Sequence, residues 1–164
     1  MNFKVCAVIV TYNRLNLLQE SIEAILSQKI EHLIVVNNKS TDGTKEYLNT
    51  ITDSRVYVKH STQNLGGSGG FQVGMELALR MTNDDLVWVM DDDTIVQNNT
   101  LDALLDAAHK LSGNFGYLCS DVKTPDNMTI NIATPTREWN KQSLFGLVQV
   151  NNATFVSLLV NRAA

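Results

Sequence analysis

The stretch LVWVMDDDT, from Leu86 to Thr94, decides the fold and places the site. Its first five residues form an uncharged apolar run rich in Val and Trp, a pattern typical of a buried strand in a parallel sheet. Three consecutive carboxylates follow at once. Because an unpaired buried charge is very costly, these acids must leave the core where the strand ends. The stretch therefore predicts an α/β protein with an acidic run at the carboxyl end of a central strand.

The acidic run consists of Asp91, Asp92 and Asp93. Open α/β sheets bind their ligands outside the carboxyl ends of the strands, so the run lies at a ligand-binding edge. Adjacent carboxylates repel one another, and a hard divalent cation relieves that repulsion. A helix cap formed by Asp93 or Thr94 is the alternative reading, although a cap rarely needs three acids. The residues indicate a metal-assisted binding site and leave capping open.

Length and charge narrow the class of protein further. A chain of 164 residues with 44% hydrophobic residues is long enough for one domain with a real core. Its net charge of −4 and pI near 5.3 argue against a general binder of nucleic acid or anionic membranes. We therefore expect one globular domain that does not bind nucleic acid.

Cysteine usage and the N-terminus indicate a cellular compartment. Cys6 and Cys119 lie in apolar settings and are expected to be buried, reduced thiols. No Cys/His cluster has zinc-ligand spacing. The start MNFKVCAVIV does not resemble a signal peptide, and no apolar run reaches membrane-spanning length. The expected location is the cytoplasm, where the protein could also attach peripherally to the inner face of the membrane.

Apolar periodicity predicts alternating strands and helices over the first two thirds of the chain. Strands are predicted at 3–12, 32–36, 55–59 and 86–90. Helices are predicted after Asn13–Arg14, after Ser40 or Thr41, after the Gly-rich stretch, and from about Asn99 to Leu111. This alternation predicts a layered α/β domain with right-handed crossovers.

The texture of the sequence changes after Gly113. Four short apolar segments, YLCSDV, MTINIA, LFGLVQV and ATFVSLLV, are separated by prolines and polar loops. Such segments are typical of short strands. They predict a smaller mixed β region attached to the parallel half.

The segment NLGGSGGF, from Asn64 to Phe71, holds four of the nine glycines. It follows the third predicted strand rather than the first, and Gln72 stands where a dinucleotide fingerprint requires its last Gly. No P-loop string occurs either. Two interpretations remain, a flexible connection before a helix and a mobile loop that folds over a nucleotide-sugar. The nearby acidic edge favours the second.

Four stretches in this order resemble the family 2 glycosyltransferases, which have the nucleotide-sugar-binding GT-A fold. They are VIVTYNR at 8–14, VVNNKSTDGT at 35–44, NLGGSGGF at 64–71 and MDDDT at 90–94. Each motif alone is weak, but the ordered set is specific. The glycines together with three adjacent acids are similar to the galactofuranosyl- and rhamnosyl-transferase-like branches. The resemblance implies a GT-A fold with a mostly parallel central sheet flanked by helices and an incomplete C-terminal part.

The resemblance also implies a donor site. Its implied nucleotide-sugar contacts are Thr11, Tyr12, Asn13, Asn37, Asn38, Asn64, Gly66, Gly67, Asp91 and Asp92. Asp91 and Asp93 would hold Mn²⁺ or Mg²⁺ bridging the diphosphate. The family commonly has Asp where this chain has Asn37, and an Asn carbonyl can still accept a hydrogen bond from a pyrimidine N3–H.

The implied activity is metal-dependent, inverting transfer of a sugar from a UDP- or dTDP-sugar to a glycan or lipid-linked acceptor, as in cell-wall or polysaccharide biosynthesis. The implied arrangement is one domain, with a nucleotide-sugar-binding half at 1–112 and the start of an acceptor-side β region at 113–164. The family's general base would lie beyond Ala164, so this chain is expected to be truncated and inactive alone. The alternatives are a non-catalytic nucleotide-sugar-binding module and a sugar-1-phosphate nucleotidyltransferase.

Overall fold

A computed structural model describes residues 2–164 and contains eight strands and four helices. The strands are β1 (Val5–Thr11), β2 (His32–Asn37), β3 (Val56–His60), β4 (Leu86–Asp91), β5 (Tyr117–Cys119), β6 (Val122–Lys123), β7 (Thr129–Ile130) and β8 (Leu158–Asn161). The helices are α1 (Leu15–Leu26), α2 (Thr44–Leu48), α3 (Gly66–Met81) and α4 (Thr100–Lys110). The predicted alternation of strands and helices up to residue 111 is confirmed.

Six strands form one sheet in the order β3-β2-β1-β4-β8-β5. The first four strands of this order are parallel, and β8 runs antiparallel between β4 and β5. Strand β8 therefore joins the C-terminal region to the same sheet as the acidic run. The prediction of an α/β fold with a mostly parallel central sheet is confirmed.

Alternate residues of the central strands face opposite layers of the core, because successive strand side chains point to opposite faces. Ile9 and Trp88 lie on the face covered by α1 and α4. Val8 and Val89 lie on the face covered by α3. Both faces are buried, which explains why β1 and β4 are almost continuously apolar in sequence.

The interpretation of the Gly-rich stretch as a mobile loop is wrong. Helix α3 already begins at Gly66, so most of the stretch is helical. A Cβ at Gly70 would lie 2.4 Å from Val10 Cγ1, and a Cβ at Gly74 would lie 2.4 Å from Val8 Cγ1. These two glycines therefore let α3 approach β1 closely, a requirement that composition alone does not distinguish from loop flexibility.

Gly74→Ala is expected to lower the free energy of unfolding by about 1–3 kcal/mol, because the added methyl overpacks a buried helix–sheet contact. The matched control is Gly67→Ala, since a Cβ at Gly67 meets nothing within 4 Å. Urea unfolding of both variants checks the prediction. Equal stability of Gly74→Ala and the parent chain would show that the contact relaxes freely.

The C-terminal region contains less strand than the sequence predicts. In place of a strand, LFGLVQV begins within a 3₁₀ turn at Ser143–Phe145 and ends at Val150, which forms a single bridge with Pro135. The segment ATFVSLLV does provide a run of strand residues, and it buries Leu158 and Leu159 in the central sheet. Strand β8 pairs with β4 on one side and with β5 on the other.

Candidate functional site

The carboxyl ends of β1, β2 and β4 lie side by side and position the candidate site. Strand pairing sets Thr11 beside Asn37, and Val10 beside Asp91. The residues that follow the three strands therefore meet at one edge of the sheet, as their positions in the sequence predict. The helix α3 begins at the same edge, because it follows the parallel strand β3.

Asp92 joins the end of β4 to the end of β1. Its carboxylate is buried and accepts hydrogen bonds from the Tyr12 N–H at 3.3 Å and from Arg14 Nη1 at 3.2 Å. Burial raises the pKa of Asp92, while the neighbouring Thr11 hydroxyl and the Arg14 charge oppose that rise. The Thr11 hydroxyl is buried beside Asp92, but within residues 2–164 it has no hydrogen-bond partner. Both Asp92 oxygens thus serve the protein itself, and a contact with nucleotide-sugar stays a prediction.

Asp93 is half exposed and pairs with Arg14, whose Nη1 lies 2.6 Å from Asp93 Oδ2. The charges of Asp92 and Asp93 raise the pKa of the Arg14 guanidinium, with Asp92 the larger cause. Arg14 belongs to no predicted site. The sequence did contain a signal for this ion pair. A basic residue follows the end of β1, an acidic run lies at the end of β4, and the two strands are neighbours in the sheet.

Asp91 is the acid without a protein partner. Within residues 2–164 no amide or side chain donates a hydrogen bond to its carboxylate, which is partly buried. Burial raises the pKa of Asp91, as do the charges of Asp93 and Asp92, and Arg14 acts against them. Asp91 and Asp93 also line a cavity of about 930 Å³. This is the carboxylate whose charge a bound cation would stabilise most directly.

The donor set suits a cation shared with a ligand. No three His, Cys, Asp or Glu side chains within residues 2–164 are grouped to hold a metal ion. Mg²⁺ and similar hard cations commonly bind one or two carboxylates together with substrate phosphates and water. Asp91 and Asp93 offer two such carboxylates at one cavity. The residues therefore fit a Mg²⁺ or Mn²⁺ ion that a diphosphate helps to hold.

The cavity beside these acids extends towards the C-terminal region. Its opposite wall includes polar residues from the segment that carries β6 and β7: Ser120, Asp121, Lys123, Thr124, Asn127 and Asn131. Asp121 and Lys123 form an ion pair of 3.7 Å on this wall. Sequence reasoning assigned none of these residues to a site, because the segment has no motif and reaches the acids only through the tertiary fold.

Asn13 and Tyr12 have different roles at the end of β1. Asn13 has a positive φ of 53° and its Oδ1 accepts a hydrogen bond from the Thr41 N–H at 2.7 Å. Its own N–H donates to Ser40 Oγ at 3.0 Å. Asn13 thus holds the loop that follows β2, while the exposed Tyr12 ring remains available to a ligand.

Asn37, which stands where the family commonly has Asp, is buried in a hydrogen-bond chain. Its Oδ1 accepts from the Ser40 N–H at 2.9 Å, so its Nδ2 must donate to His60 Nδ1 at 3.2 Å. This arrangement requires a neutral His60. Burial lowers the pKa of His60, Lys45 lowers it further, and Glu46 opposes the change. The amide therefore keeps a fixed orientation at the end of β2.

Asn38 fixes the start of α3 to the end of β2. It is 2% exposed, and its Oδ1 accepts from the Leu65 N–H at 2.8 Å. Its Nδ2 donates to Asn64 Oδ1 at 2.9 Å and to the Gly66 carbonyl at 3.0 Å. Asn64 in turn accepts from the Gly66 N–H at 2.8 Å. The predicted contacts of Asn38 and Asn64 with a ligand stay predictions, and the structure gives both residues a role in placing the helix.

Gly66 and Gly67 form the open part of the Gly-rich stretch. Gly66 has a positive φ of 69°, and added Cβ atoms at either position meet nothing within 4 Å. The first amides of a helix have no partners within the helix and favour an anion. In α3 the Gly66 N–H is already used by Asn64, which leaves the amides that follow it. The start of α3 therefore presents a bare backbone surface at the edge that carries the acids.

Comparison with solved structures places this fold among the GT-A glycosyltransferases. A mannosyltransferase from Pyrobaculum calidifontis, solved with GDP-Man and Mn²⁺, matches with a TM-score of 0.58 at 24% identity. The match covers 77% of this chain and 37% of the mannosyltransferase. At this identity the likeness concerns the fold alone.

The family model described as Glycosyl transferase family 2 matches residues 6–152. The chain belongs to this family. It is 42% identical over 108 residues to galactofuranosyltransferase GlfT1 of Mycolicibacterium smegmatis, a match that covers 64% of this chain and 35% of the relative. It is 34% identical over 142 residues to GlfT1 of Mycobacterium tuberculosis, covering 84% of this chain and 43% of the relative. The chain thus spans less than half the length of these relatives. None of the helices described in residues 2–164 combines the length and the hydropathy that a membrane-spanning helix requires.

Proposed function

We propose that this chain forms the donor-binding part of a glycosyltransferase that takes a sugar from a nucleoside-diphosphate donor, a UDP- or dTDP-sugar. A glycan or a lipid-linked molecule would be the acceptor, and transfer would invert the sugar's anomeric configuration. The observation that carries the proposal is the partly buried Asp91, whose carboxylate has no partner within residues 2–164 and lies beside Asp93 where three strands end. Membership of the family supports the reaction class.

Different residues at this edge of the sheet would bind the metal, the phosphates, the nucleoside and the acceptor. Asp91 and Asp93 would hold Mg²⁺ or Mn²⁺, which when bound would neutralise charge on the departing nucleoside diphosphate. The amides at the start of α3 would favour the phosphates, because they carry partial positive charge. The exposed Tyr12 ring offers a surface for the nucleoside. The wall that carries Asp121 and Lys123 faces the same acids and leaves space for an acceptor.

The GlfT1 relatives support the sugar-transfer chemistry, and the pair of carboxylates at the cavity, Asp91 and Asp93, supports the metal. The presence of Asn37 in place of the commoner Asp removes a charge from the predicted base contact. A pyrimidine N3–H could still be accepted by the second lone pair of its Oδ1, since the Ser40 N–H uses only one. We therefore expect a uracil or thymine nucleotide rather than a cytosine nucleotide, whose N3 carries no proton.

A thermal-shift panel of UDP-, dTDP- and GDP-sugars, each with and without Mn²⁺, tests the proposal. At a ligand concentration of about 100 Kd, selective binding stabilises the folded state by about 2.7 kcal/mol. For a chain of this size that corresponds to a rise in Tm of roughly 5–10 °C. We expect this rise for one pyrimidine nucleotide class and only with the metal. The proposal would be contradicted if all nucleotides raised the Tm equally, or if none of them raised it.

A further inference from the structure

Arg14 contacts the acidic run with only one of its nitrogens. Nη1 donates to Asp92 Oδ1 at 3.2 Å and to Asp93 Oδ2 at 2.6 Å. A guanidinium has five N–H donors, and within residues 2–164 neither Nε nor Nη2 of Arg14 makes a hydrogen bond. The side chain is 50% exposed. Most of its hydrogen-bonding capacity therefore faces solvent at the candidate site.

The two acids that contact Arg14 differ in how far they are exposed and in their other partners. Asp92 is 6% exposed and is also fixed by the Tyr12 N–H, so it cannot turn away from the end of β1. Asp93 is 45% exposed and has no other partner within residues 2–164. A pair between exposed groups is weak, whereas a partly buried carboxylate retains its partner. Asp93 is the contact that Arg14 can give up.

A cation on Asp93 and the guanidinium on Asp93 compete for the same carboxylate. The positive charges of the cation and of the guanidinium repel each other when both contact one carboxylate. Arg14 therefore has to move before Asp93 can serve a metal ion. Its unused donors match the geometry of phosphate oxygens, which a guanidinium binds in a bidentate manner.

We propose that Arg14 is a resident counter-ion of the acidic run that leaves Asp93 when a metal ion and a nucleoside diphosphate enter together, and then pairs with the diphosphate. The inference rests on the proposed function and adds a binding order to it. The metal alone binds weakly because Arg14 holds Asp93. The diphosphate supplies both a ligand for the metal and a new partner for the displaced guanidinium, so the two bind cooperatively.

The test uses Arg14→Met in the full chain, with Mn²⁺ alone and with UDP as probes. Electron paramagnetic resonance of free Mn²⁺ measures metal binding without nucleotide, and calorimetry at saturating Mn²⁺ measures UDP binding. We expect Arg14→Met to bind Mn²⁺ alone about tenfold more tightly and UDP about tenfold more weakly, the range of one charge-assisted hydrogen bond. Arg14→Lys, which keeps the charge but loses the planar fork, should retain weak binding of Mn²⁺ alone and bind UDP less well than the parent chain.

The matched control is Arg55→Met, which breaks the ion pair with Asp53 away from the site and should change neither affinity. Unchanged binding of Mn²⁺ alone in Arg14→Met would overturn the inference, as would a loss of affinity for both probes. The two proposals fail in different ways. If the parent chain binds no UDP with Mn²⁺, the proposed function fails, whereas the response of Mn²⁺ alone to Arg14→Met still decides whether Arg14 is the counter-ion.

Discussion

Asp93→Ala is expected to abolish metal-dependent binding of UDP, with a loss of affinity of at least about 100-fold. Asp93 is one of the two carboxylates that we propose as ligands of a shared metal, and the diphosphate depends on that metal. The fold should be retained, because an exposed ion pair contributes little and removal of Asp93 relieves repulsion with Asp91. Calorimetry with saturating Mn²⁺ measures the affinity, and thermal unfolding measures the fold.

Asp102→Ala is the control for this experiment. Asp102 is also an exposed acid with a basic partner, Lys29, but it lies in the first turn of α4. This variant should bind UDP with unchanged affinity. Equal affinity of the parent chain and Asp93→Ala in the presence of Mn²⁺ would rule out Asp93 as a metal ligand.

Asn38→Ala is expected to lower the free energy of unfolding by about 2–4 kcal/mol and to weaken nucleotide-sugar binding by more than tenfold. The substitution removes the hydrogen-bond partners of the Leu65 N–H and the Gly66 carbonyl, and a backbone group left without a partner is costly. The start of α3 then loses its attachment to β2. Urea unfolding measures stability, and hydrogen exchange of residues 64–70 reports the helix start.

The exposed Asn151 provides the control, and Asn151→Ala should change neither stability nor binding. If Asn38→Ala unfolds at the same urea concentration as the parent chain, the buried hydrogen bonds do not secure the helix. If stability falls but exchange at 64–70 stays slow, the loss arises elsewhere in the core.

The element types of the parallel half could be predicted because they depend on local patterns. The run at 86–90 is apolar since both faces of β4 are covered, and the acids after it cannot enter the core. The family motifs identified the same edge. The apolar run and the acids that follow it therefore predicted both the fold class and the location of the candidate site.

Partners that arise only from the tertiary fold could not be predicted. The Arg14 contact with Asp92 joins residues that follow two different strands, and the amide hydrogen bonds of Asn38 depend on where α3 begins. Gly70 lies in a stretch with the composition of a loop, but Gly70 and Gly74 both allow a close helix–sheet contact. The direction of β8 could not be predicted either, because an apolar run is compatible with both parallel and antiparallel pairing.

The antiparallel pairing of β5 with β8 has a consequence for how this fold can diversify. Cys119 lies opposite Leu158, so the chain between them leaves the sheet and returns to it at the same point. The ends of this excursion stay together whatever its length. Because the entropy of loop closure grows only with the logarithm of length, doubling the excursion costs about 0.6 kcal/mol. Insertions there can reshape the wall opposite Asp91 and Asp93 while the register of β1, β2 and β4 is left intact.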